Sequence, residues 1–97
     1  MSTFLAVIND ASDLLTRVRE LNKSGAITWT KTEPPIEAKD AKSWTGTHPE
    51  LVLTIVRYRQ DDELTTRGSV VGHDGLVTFI YPPLGDELAD AAEKACP

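Results

Sequence analysis

A chain of 97 residues supports one modest hydrophobic core and not two, which excludes chemistry built between domains. Fifteen acidic against 10 basic residues give a formal charge of -5, which opposes both nucleic-acid phosphates and an anionic membrane, so the expected partner is another protein with a basic surface. No apolar run approaches the ~20 residues of a membrane span, and MSTFLAVIND lacks the basic start and small-residue cleavage site of a secretory signal, so a cytoplasmic location is expected.

From Thr3 to Leu21 the apolar residues Phe4, Ile8, Ala11, Leu15 and Val18 fall on three- and four-residue steps, widened by Leu5, Leu14 and Leu21. This predicts an amphipathic helix capped by Ser2 and closed at Gly25. The rival reading makes Thr3 to Ile8 a strand and caps a shorter helix with Asp10, because Phe4, Val7 and Ile8 suit either state. Gly25 to Glu33 alternates as a strand, with Ile27 and Trp29 on one face and a wet threonine face opposite, ended by Pro34-Pro35.

Pro34 to Pro49, PPIEAKDAKSWTGTHP, is expected to be a long loop, and unstructured connections beyond ~12 to 15 residues are often functional. Its one large aromatic, Trp44, either anchors a partner or folds back over an edge of the core. A loop position makes Trp44 the more exposed of the two tryptophans.

Three runs then form an antiparallel meander: LVLTIVRYR (51–59), LTTRGSVV (64–71) and LVTFIY (76–81). They are joined at Gln60-Asp61-Asp62-Glu63 and at Gly72-His73-Asp74-Gly75, where Asp74 is expected to fix the turn and Gly75 to take a positive φ. In the first run Val52, Val56 and Tyr58 share one face, while Leu51, Leu53 and Ile55 share the other, which turns polar at Arg57 and Arg59. Apolar residues on both faces make this strand central. If both helices cover one face, the other needs the loop or a second molecule, which points weakly to a homo-oligomer. The closing PPLGDELADAAEKACP predicts a helix with a narrow stripe of Leu84, Leu88, Ala91 and Ala95, Asp86 and Glu87 at its start and Lys94 near its end.

The fold class is therefore α+β. A single domain over 1–97 is expected, with an N-terminal helix, an antiparallel sheet of about four strands ending in the meander, and a C-terminal helix packed on one face. The order α-β-β-β-α resembles that of double-stranded RNA-binding domains, yet the last helix begins Gly85-Asp86-Glu87, which repels phosphate. His48-Pro49-Glu50 and His73-Asp74-Gly75 are faintly similar to pterin-carbinolamine dehydratases, whose paired histidines are missing here. Neither resemblance assigns a family.

Two histidines and the lone Cys96, without ligand spacing, give no metal site, and no cofactor motif or catalytic residue can be named. Enzymatic activity stays open, with the weight against it. The leading expectation is a small acidic interaction module, an inhibitor, immunity-type or regulatory subunit, that binds by surface contact through Trp44, Arg57, Arg59, Trp29 and His73. One alternative is a small-molecule-binding or enzymatic domain with the sheet face as a pocket wall, for which a buried arginine–carboxylate arrangement would speak. Another is a structural subunit of a phage or secretion assembly, associating through an edge strand.

Overall fold

The computed structural model describes residues 11–34, 37 and 39–96. Helix α1 spans Ala11–Ser24, followed by strands β1 (Thr28–Thr32), β2 (Lys39–His48), β3 (Leu51–Gln60), β4 (Glu63–Gly72) and β5 (Val77–Ile80), and by helix α2 (Leu84–Ala95). The choice between helix and strand at 3–8 lies outside the described residues. Within them the expected stripe of α1 is present, with Leu14, Val18 and Leu21 buried and Leu15 packed beside them. Gly25 ends the helix at φ 73°. Its N–H donates to the Asn22 carbonyl and that of Ala26 to the Leu21 carbonyl, the paired bonds of a Schellman cap.

The sheet has five antiparallel strands in the order β1-β2-β3-β4-β5, so each strand pairs with its neighbour in sequence. The fifth is β2. The stretch read from the sequence as a long loop at 34–49 is mostly this ten-residue strand, held between β1 and β3. From Ser43 to Thr47 it is paired on both sides, which outweighs the weak strand preference of Lys, Asp, Ser and Gly.

The hairpin turns follow their residues. Asp61 and Asp62 take φ 51° and 64° between the paired Gln60 and Glu63, the left-handed pair of a type I′ turn. Gly75 has φ 91°, and Asp74 accepts a hydrogen bond from the Leu76 N–H through Oδ1, the expected structural role for that aspartate. Near the start of β2 the register slips between Lys39 and Lys42, a β-bulge at which Asp40 adopts φ 56°.

Both helices pack on the face of β3 that carries Leu51, Leu53 and Ile55. Trp44 from β2, Val70 from β4 and Ile80 from β5 join that core with Leu14, Val18 and Leu21 of α1. From α2 the buried residues are Leu84, Gly85, Leu88, Ala89 and Ala92. The expected stripe is thus shifted: Ala91 is half-buried and Ala95 exposed. Glycine and alanine at the inner positions let α2 approach the sheet closely, and a Cβ on Gly85 would already touch Thr66 Cγ2 at 3.5 Å.

Candidate functional site

Of the five residues singled out in the sequence, Arg57 and Arg59 share a cleft and the other three lie apart. The cleft, about 310 Å³, is lined by Asp40, Ala41, Lys42, Arg57, Arg59, Leu64 and Glu93. The Arg57 side chain is 12% exposed and turns toward α2, where Asp86, Asp90 and Glu93 are spaced to share one helix face. Its Nε donates to Thr66 Oγ1 at 3.3 Å, Nη1 to Glu93 Oε1 at 3.2 Å, and Nη2 to Asp90 Oδ1 at 3.1 Å and the Asp86 carbonyl at 3.4 Å. Its donors are spent inside the fold.

Arg59 donates to Asp40 Oδ2 at 3.3 Å and to the Asp62 carbonyl at 3.4 Å. The bulge delivers that aspartate. Glu33, Glu37 and the carboxylates of the 61–63 turn do not neutralise the pair: α2 and Asp40 do, and the turn gives only a carbonyl. An arginine–carboxylate arrangement therefore exists, at the end of the sheet rather than on its open face, with Arg57 largely consumed by it and Arg59 still 40% exposed.

The tryptophans reverse their expected roles. Trp44, expected on a loop and more exposed, is 1% exposed in mid-strand opposite Ile55, while Trp29 is only half-buried. Burial strands one polar atom, since Trp44 Nε1 has no hydrogen-bond partner among the described residues. Trp29 stands opposite Gly46, where a Cβ would come within 2.8 Å of its Cζ3 and of Ile27 Cγ2. The ring and Ile27 together take the space that a side chain at position 46 would need. The Cys96 thiol donates to the Trp29 carbonyl at 3.3 Å, and Trp29, Ile27, Ala91 and Lys94 line a shallow groove of about 340 Å³.

At the opposite end of the sheet, His73 is exposed in its turn and donates its N–H to the Glu50 carbonyl at 2.9 Å. His48 Nδ1 accepts from the Glu50 N–H at 3.1 Å. Arg17 hydrogen-bonds the Glu50 carboxylate and holds it below the usual carboxylate range against the opposing effect of burial, with the Arg17 charge adding to the lowering. These contacts fasten α1 to two turns. Among the described residues no group of three or more His, Cys, Asp and Glu side chains could hold a metal ion.

The face of the sheet turned away from both helices is the least explained by folding. Cross-strand register aligns Thr47, Val52, Val71 and Val77 in one row, and Thr45, Thr54, Ser69 and Phe79 in the next. Val52, Val71 and Val77 are exposed, with Phe79 at 64% and Tyr81 at 69%. A groove of about 340 Å³ at this edge is lined by Arg67, Gly68, Phe79, Ile80 and Tyr81. Sequence reasoning missed these residues. The available signal was the two-residue repeat Val77-Phe79-Tyr81, which commits three large apolar groups to one face of a four-residue strand and its exit.

No helix among the described residues is long and apolar enough to cross a membrane. The sequence matches no protein-family model, and no curated protein or solved structure matches it.

Proposed function

We propose that the chain is a protein-interaction module that binds its partner on the helix-free face of the sheet, by surface contact rather than catalysis. The observation that carries this reading is the contiguous exposed patch of Val52, Val71, Val77, Phe79 and Tyr81. Large apolar groups gathered on one exposed face mark interaction surfaces far more often than scattered ones do. Thr54, exposed beside them, supplies a hydroxyl that can bond a partner at the rim.

This reading moves the binding residues away from Trp44, Trp29, Arg57, Arg59 and His73 and onto β4 and β5. It also separates the interface from the excess negative charge, much of which lies on α2 and in the turns. A partner with a basic surface would meet those regions, not the centre of the patch.

The test uses the immobilised chain beside a Val71→Ser/Phe79→Ser variant, both checked for native melting, in a lysate of the source cell. A captured protein is then purified and titrated by calorimetry. Binding weakened in the variant by about tenfold or more is expected, the scale of a hot-spot loss. Equal affinity for both would overturn the proposal.

A further inference from the structure

The chain has five arginines, and four of them hold carboxylates: Arg17 with Glu50 at 2.7 Å, Arg19 with Glu87 at 3.5 Å, Arg57 with Asp90 at 3.1 Å and Glu93 at 3.2 Å, and Arg59 with Asp40 at 3.3 Å. Arg67 has no carboxylate partner among the described residues. It is the exception among the arginines, and it lies beside Phe79 and Tyr81, the most exposed aromatic residues among those described.

The Arg67 guanidinium carbon lies 5.8 Å from the centroid of the Tyr58 ring. An aromatic contact of this kind takes up the face of a guanidinium and leaves its N–H edge free for an acceptor, which a carboxylate matches with two oxygens. Phe79 and Tyr81 line the same groove, whose volume of about 340 Å³ admits one side chain of a partner. Arginine with tyrosine and phenylalanine is also the composition enriched at binding hot spots.

We infer that this groove receives a carboxylate carrying an adjoining aromatic or apolar group from the partner protein, with Arg67 holding the carboxylate and Phe79 and Tyr81 the apolar part. The inference rests on the interaction surface proposed above and names the chemistry of its occupant. A polyanion is the wrong match: a net charge of -5 repels an extended phosphate backbone, whereas one carboxylate needs only one cation. A partner recognised here is acidic and apolar at the point of contact, the opposite of the basic surface that net charge alone suggests.

The experiment titrates the full isotope-labelled chain with N-acetylphenylalanine, which has a free carboxylate, and with its neutral amide, following backbone amides by NMR. The expected result is a saturable shift centred on residues 66–68 and 78–81, several-fold weaker for the amide. It is reduced about tenfold in Arg67→Gln and only partly restored in Arg67→Lys, because lysine keeps the charge without the fork. No shift, an equal response to the amide, an unchanged response in Arg67→Gln, or shifts centred on the Arg57 cleft would each overturn it. Sedimentation of the free chain is expected to give a monomer, and a dimer abolished by Phe79→Ser would overturn it by assigning the groove to a second copy. If partner capture depends on Val71 and Phe79 while N-acetylphenylalanine gives no Arg67-dependent shift, the carboxylate inference falls and the interaction face stands. If capture is indifferent to Val71 and Phe79, the face itself falls.

Discussion

Arg17 in α1 donates to both carboxylate oxygens of Glu50, Nε to Oε1 at 3.2 Å and Nη2 to Oε2 at 2.7 Å, across 33 positions of sequence. Both side chains are less than a third exposed, so the pair is screened less than a surface ion pair. Because the folded protein holds Glu50 below its ordinary pKa, the stabilisation is complete above the unfolded carboxylate value of about 4.3 and is lost as pH falls through the lower folded value. Chemical melts in steps from pH 6 down to about pH 3 should show this loss, with a smaller slope in Glu50→Gln. An identical slope in both proteins would show that other carboxylates govern acid unfolding.

Arg57→Ala should destabilise the fold by about 1 to 2 kcal/mol, more than an exposed ion pair provides, because it leaves Thr66 Oγ1 without its donor and Asp90 and Glu93 without their cation. Arg57→Lys recovers charge but not the fork and should fall between the two. Thermal melts on both, with a double-mutant cycle against Glu93→Ala, measure the coupling. A neutral Arg57→Ala would mean that the guanidinium contacts contribute nothing net.

In single-tryptophan variants, Trp44 should emit to the blue and resist acrylamide, while Trp29 should be quenched several-fold faster. The order is set by burial in mid-strand against half-burial beside an edge. Equal quenching constants would contradict the core position of Trp44.

Gly46→Ala should cost about 1 to 3 kcal/mol, the scale of overpacking, because its methyl group would stand 2.8 Å from both Ile27 Cγ2 and Trp29 Cζ3. In a Trp29→Ala background part of that cost should vanish, since the ring is one of the two groups that occupy the space and Ile27 is the other. Additive melting shifts in the double variant would refute the relation.

The meander was legible because alternation in Leu51–Gln60 and the turn residues at 61–62 and 72–75 all favour the same local structure. Strand β2 was not. Its inward face offers one large apolar residue, Trp44, with Lys42 and Gly46 on either side, so no apolar period announces it, and only pairing with both neighbours makes the segment extended. The inner face of α2 was misread for a related reason: Gly85 and Ala89 contribute closeness rather than hydrophobicity, and Ala91 and Ala92 look alike in sequence. Arg67 sat among Thr65 and Ser69, where an arginine reads as a solvated side chain. That it has no carboxylate partner among the described residues becomes visible only when the other four arginines are seen to have one.

The order β1 to β5 also bears on how quickly the molecule can be made. Each pair of hydrogen-bonded strands closes a short loop, and β2–β3 and β3–β4 close with two residues each, so the entropy of ring closure is small at every step. Low separation between contacting residues goes with fast folding among two-state domains. Assembly can proceed by successive zippering of hairpins, with α1 and α2 arriving from the two flanks to seal the Trp44 side. Left-handed Asp61 and Asp62 then sit at the tip of a central hairpin, where an Asp62→Gly replacement, relieved of Cβ strain, should hasten folding more than it slows unfolding.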